Sequence, residues 1–234
     1  MINKEAIQRV LSVYTKGVHT RDTRLTKRHV YNKLLTVRNM LLEQKANKRQ
    51  AISNEAYQVL PCVKMSLAPV SDCSCVPAFL LENCKLYKSE SKIPHILKSI
   101  HGILLRNITT IDGQVSLDYY NYANLRYLKG RKFGQEKPFV FIFNDYLYQI
   151  KSEYELLQIE AVFIYPLEAD KFKECDCDEF TDCESYQDKI FPIPSTLEEI
   201  LIDISKNELI GLFQHGKVDI PNSMDNSVTK QQEE

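Results

Sequence analysis

Apolar residues at helical spacing open the chain. Ile7, Val10, Leu11 and Tyr14 recur at i, i+3, i+4 and i+7, which predicts a first helix with Gly17 as its stop. After Asp22-Thr23, a good N-cap pair, Val30, Leu34, Val37 and Leu41 repeat the spacing, and Tyr31, Leu35 and Leu42 widen the stripe. One helix over 24–47 is expected, its other face carrying Lys27, Arg28, Lys33, Arg38 and Lys45. Beyond Ala51 the period changes. QVLPCVKMSL (58–67) is apolar, rich in branched residues and broken by a proline, as an edge strand or a pair of short strands would be. GILLRNITTIDG (102–113) ends in Asp112-Gly113, a strong turn signal, and VSLDYY resumes beyond it, which reads as a hairpin.

A second hairpin is expected where FVFIF (139–143) and YLYQI (146–150) flank Asn144-Asp145. LQIEAVFIYP (157–166) supplies a last strand stopped by proline, and 167–193 is acidic, cysteine-bearing and aperiodic, hence a surface loop. Ser195 with Glu198 three residues on forms a capping box, followed by a stripe of Leu197, Ile200, Leu201 and Ile204 up to about Gly211. The pattern therefore predicts an α+β chain: a basic N-terminal helical pair (1–52), a central, mostly antiparallel β domain (53–166), the acidic loop (167–193), a C-terminal helix (194–213) and an extended polar tail (214–234).

Composition fits this reading: 234 residues, 44% apolar and 26% charged, are enough for one good core or two modest ones. The formal net charge of −1 argues neither for general nucleic-acid binding nor for a solvating chain, but it hides a dipole. Residues 1–50 hold twelve Lys/Arg against three Asp/Glu (net +9), whereas 152–203 hold three Lys against fifteen Asp/Glu (net −12). No apolar run approaches the ~18 residues that span a bilayer, and the first ten residues lack a signal peptide's apolar centre, which places the chain in a cytoplasm without a membrane partner. Seven cysteines in such a compartment are expected to be reduced.

Candidate chemistry is sparse. Cys73, Cys75 and Cys84, and then Cys175, Cys177 and Cys183, lack the C-x2-C spacing that lets two thiolates meet one zinc ion, and no histidine stands close in sequence to either triplet. Asp176, Asp178, Glu179 and Asp182 suggest a calcium loop until Thr181 and Gln187 are found where an EF-hand needs Gly and Glu. A solvated acidic loop is the better reading. The five histidines form no HExxH motif, and Gly130 and Gly134 do not make a phosphate-cradling loop. KGRKFGQEK (129–137) is a charged tip or a basic finger toward DNA or an acidic neighbour. Tyr119, Tyr120, Tyr122 and Tyr127 with Phe139, Phe141 and Phe143 could stack single-stranded bases, but alternation puts the three Phe on one sheet face, where a core belongs.

The order of these features resembles the neck ring, or head-to-tail connector, proteins of tailed bacteriophages, especially the crAss-like group. The likeness is carried by the basic two-helix start, the Ile111-Asp112-Gly113 turn, FIFNDYLY (141–148), AVFIYP (161–166), the acidic cysteine loop and FPIPSTLEEILIDI (191–204). It implies a structural virion protein with no enzymatic activity and no cofactor. It also implies a homo-oligomeric ring, twelvefold, below the portal, extending the channel through which double-stranded DNA leaves without sequence-specific contact, and assembled in the host cytoplasm. A basic and an acidic end on one chain suit heterologous head-to-tail contact between subunits. Arg21, Arg24, Lys27 and Arg28 are the expected basic side of that contact and Asp176, Asp178, Glu179 and Asp182 the acidic side. Leu209, Ile210, Leu212 and Phe213, continuing apolar across Gly211, are expected to anchor the tail on the portal or an adjacent ring protein. The alternative is a nucleic-acid-binding regulator using the basic helices.

Overall fold

The computed structural model describes residues 1–14, 25–69, 71–72, 76, 86–130, 137–172 and 185–214. Three helices, α1 (Asn3–Tyr14), α2 (Lys27–Asn47) and α4 (Ser195–Gln214), pack against one another, and the short α3 (Pro166–Ala169) precedes a 3-10 turn at Asp170–Phe172. Their apolar stripes meet as expected: Ile7, Val10, Val30, Leu34, Leu42, Leu201 and Ile202 are buried in one cluster. Thr26, three residues later than the anticipated cap, starts α2, its hydroxyl accepting from His29 N–H. Glu55 reaches across from the α2–β1 connection to accept the Ser195 N–H at 2.7 Å, a distant cap for α4.

Among the described residues nine strands follow the helical pair: β1 (Gln58–Leu67), β2 (Tyr87–Ser89), β3 (Lys98–Ser99), β4 (Gly102–Ile103), β5 (Leu105–Thr110), β6 (Asp118–Tyr119), β7 (Phe139–Phe143), β8 (Tyr146–Ile150) and β9 (Leu156–Ala161). Seven of them form one sheet in the order β5-β9-β1-β2-β8-β7-β6, antiparallel except for β6 beside β7, while β3 and β4 form a small hairpin. Beyond the Asp112-Gly113 turn the chain folds back on β5, with Leu117 N–H donating to Ile108 O and Thr110 N–H to Val115 O, and then enters β6. Residues 115–119 thus join the two sheet edges, and the sheet closes toward a barrel at its turn end. Leu60, Val63, Ile108, Val140, Leu147, Leu157 and Ile159 fill the interior. The outer face of β7 and β8 is buried too: Phe139, Phe141 and Tyr148 pack against Leu125 of the 3-10 helix Tyr122–Gly130, with Tyr122 stacked on Phe143 at 4.5 Å. The aromatic group is a second core; among its tyrosines Tyr127 alone stands out, 77% exposed.

Several expectations are corrected. β1 is an inner strand, not an edge: β9 and β2 flank it, and Pro61 is tolerated because the register shifts between Leu60 and Val63. β9 ends at Ala161, and Pro166 opens α3 instead of stopping the strand. The 167–193 stretch is not all irregular, since Ile2 and Ile190 form an antiparallel bridge, Asn3 N–H donates to Lys189 O and Phe191 N–H to Met1 O. Cys62, buried on β1, is disulfide-bonded, so free thiols throughout do not hold; the fold sets this pairing, which a cysteine count cannot reveal.

Arg38 is the largest departure. Instead of facing water it is fully buried, its Nε donating to Pro192 O at 2.6 Å and its Nη1 to Phe163 O and Asn39 Oδ1, each at 2.9 Å. Burial lowers its pKa to about 10, and the acceptors of these three bonds are uncharged oxygens. One side chain thereby ties α2 to the strand leaving the barrel and to the segment entering α4.

Candidate assembly surfaces

The first turn of α2 leaves Lys27, Arg28 and His29 exposed. Cations at a helix N-terminus oppose its dipole, so this end gains from an anionic neighbour. Lys27 Nζ donates to Gln187 Oε1 at 3.4 Å, and the Tyr31 ring lies 5.4 Å from that of Tyr186. The basic end of α2 therefore already touches the 167–193 stretch of its own chain. Burial pushes the Tyr31 hydroxyl up to about 12, so it stays neutral beside Arg38. Arg28 makes no hydrogen bond or ion pair among the described residues. Arg21 and Arg24 lie outside the described residues, as do Asp176, Asp178, Glu179, Asp182 and both cysteine triplets.

Farther along α2, Lys33 pairs with Glu208 of α4, and Arg38 points inward. Of the five cations expected on one solvent face, Arg38 is thus buried and Lys33 is half-buried in an ion pair. Exposed basic charge on α2 gathers at its start, Lys27 and Arg28, and just past its end, Lys48 and Arg49. At the other end of the apolar anchor, Leu209 is buried in the chain's own bundle and Ile210 is half-buried. Leu212 and Phe213 belong to α4, but their side chains lie outside the described residues.

A groove of about 1230 Å³, with no counterpart in the sequence reading, opens where the barrel meets the bundle. The β3–β4 hairpin forms one wall and is fixed to the end of α2 by the Ile100 N–H, which donates to Asn47 Oδ1 at 2.9 Å, while the Ile100 side chain is 75% exposed. The start of β5 and the residues around β6 form the other walls. On the rim His95 Nδ1 lies 3.4 Å from Asp145 Oδ1. Its only sequence signal was the run of Ile, Leu and Gly over 100–105, which reads equally well as a plain strand.

Among the described residues no three His, Cys, Asp or Glu converge as a metal site, and no helix is long and apolar enough to cross a membrane. What the fold offers is surface: a basic helix end, an exposed aromatic, and a groove between two packed bodies. No curated protein matches the chain. A family model described as phage tail ring protein 2 matches residues 5–228, taking in the bundle, the barrel and α4. Such a span leaves little of the chain outside the match, and the chain belongs to this tail ring protein 2 family of crAss-like phages, a structural family of the virion.

Proposed function

We propose that copies of this chain close into a homo-oligomeric ring, twelvefold, placed between portal and tail so that its lumen extends the DNA channel. The observation that carries this reading is the family match over 5–228. Arg28, exposed at the start of α2 and without a partner among the described residues, on a chain whose charge is split +9 against −12, supports a heterologous contact that repeats around an axis. Arg21, Arg24, Lys27 and Arg28 meet the acidic loop with Asp176, Asp178, Glu179 and Asp182 on the next subunit. Ile210, Leu212 and Phe213 extend α4 as a contact with a portal or adjacent ring protein. Double-stranded DNA passes through without base-specific contact.

Native mass spectrometry and negative-stain microscopy of the purified chain test the reading. A discrete closed oligomer with a central opening is expected. A chain that remains monomeric at high micromolar concentration, alone and with portal, would overturn it. The regulatory reading based on basic helices loses support from the ion pair of Lys33 and the burial of Arg38.

A further inference from the structure

The groove beside β5 is built for a chain segment. Its volume of about 1230 Å³ exceeds the ~300–1,000 Å³ of ordinary small-molecule pockets, and one wall is an open strand edge. Ile108 and Thr110 bond across to Leu117 and Val115, but before Ile108 no backbone bond joins β5 to residues 118–124 among the described residues. The cause is local: the register of β5 against β9 shifts between Leu105 and Asn107, and such a bulge bends the strand away from its other neighbour. The gap carries half-buried Ile103 and Leu105 beside the amides of Asn107 and Asn124. On its rim Lys98 is exposed and makes no ion pair among the described residues. Open edges of this kind take an extended peptide by strand addition, with alternate side chains filling pockets.

We propose that the occupant is the C-terminal stretch 215–234 of a second copy of this chain. Val218 and Ile220 alternate with Asp219 ahead of Pro221, which suits a short added strand with two apolar residues facing Ile103 and Leu105, while the net negative charge of the stretch suits the exposed Lys98 on the rim. The stretch holds Lys217 and Lys230 against Asp219, Asp225, Glu233 and Glu234, net −2. Reach favours exchange between copies. α4 runs antiparallel to α2, since Glu208 pairs with Lys33 near the start of α2 while Ser195 meets Glu55 beyond its end. Gln214 thus lies at the opposite end of α2 from the groove, about 30 Å away for a 21-residue helix. Val218 and Ile220 stand only four and six residues beyond Gln214, about 13–20 Å of extended chain, which falls short of the chain's own groove and leaves a neighbour's.

The inference rests on the ring reading and is tested beside it. A photo-crosslinking amino acid replaces Ile103 in the full-length chain, and isotopically light and heavy chains are mixed before irradiation. Peptide mass spectrometry is expected to find 215–234 joined to position 103 across light and heavy chains, and Lys98→Glu is expected to lower that yield about fivefold. Native mass spectrometry of the same samples reads the assembly. Rings in which position 103 captures another segment, or nothing, overturn the tail's place while the ring stands. Crosslinks confined within single chains overturn the exchange between copies, and a chain that neither crosslinks nor assembles overturns both readings.

Discussion

Arg38 carries a charge where no water reaches, and it is tolerated because two segments turn the Phe163 and Pro192 carbonyls toward it beside the Asn39 side chain. Replacing it removes the donor from Pro192 O and Phe163 O together, and each buried acceptor left unpaired costs about 1–3 kcal/mol. Arg38→Ala is expected to lower unfolding free energy by about 3–5 kcal/mol in urea titrations, with Arg38→Met scarcely better because it restores volume but no donor. A loss under ~1 kcal/mol would mean the carbonyls find water. This residue was legible in hindsight: position 38 stands four after Leu34 and four before Leu42, inside the apolar stripe. Charge led the reading to place it outside, whereas the helical period alone places it within. A second residue-scale expectation concerns Asp72, which accepts from Lys88 Nζ at 2.9 Å and from the Tyr148 hydroxyl at 3.3 Å. The Lys88 hydrogen bond holds the Asp72 carboxyl below its usual 3.8, and the Asp72 hydrogen bond raises the Lys88 ammonium above 10.5. Stability from the carboxylate is present above pH 3.8 and lost as pH falls through its lowered value. Stability from the ammonium is present below pH 10.5 and lost as pH rises beyond it. Both side chains are partly exposed, so Asp72→Asn should cost under ~1 kcal/mol at pH 7 and nothing measurable at pH 2, read by denaturant unfolding at both.

Elements stand or fall with local chemistry. The β7–β8 turn places Asn144 at φ 49 and Asp145 at φ 67, the pair of left-handed residues that a two-residue hairpin demands. Asn144→Val puts a β-branched side chain there and is expected to destabilise by about 1–2 kcal/mol, whereas Asn144→Gly should be neutral or slightly stabilising; thermal unfolding of both variants checks the ordering. The two hairpins, the helices and the extent of β1 were legible because turn residues and period are local signals. Sheet order was not: β1 pairs with β9 almost a hundred residues later, and nothing in QVLPCVKMSL distinguishes an inner strand with a bulge from an edge. Nor could Ser195 and Glu198 reveal that Glu55 would cap α4, since a distant carboxylate leaves no spacing to read. The groove escaped for another reason: most of its walls lie within residues 93–124, but the shift of register in β5 that opens it leaves no mark in residue type.

At the scale of the whole molecule the split charge is the property that a ring would use, and the exposed basic charge of α2 stands at its two ends. Lys27 and Arg28 stand exposed at the start of α2, and 21–24 lead into that turn, so one substitution set tests the basic side: Arg21→Glu, Arg24→Glu and Arg28→Glu together. Arg28 is exposed and outside the bundle core, and the variant is expected to keep the circular dichroism and unfolding midpoint of the parent. Exposed pairs contribute only ~0.2–1 kcal/mol each, yet three reversals act at every interface and turn attraction into repulsion. A loss of about 2 kcal/mol per interface is a factor of roughly 30 in each association constant, and closing a ring compounds it over all its contacts. Native mass spectrometry should therefore find monomers where the parent gives closed rings. Salt supplies the control, since raising ionic strength toward 1 M shortens the screening length to ~3 Å and should weaken the parent's assembly while changing the variant little. Rings that survive both the triple reversal and high salt would show that apolar contacts, not the charge split, hold neighbouring copies together.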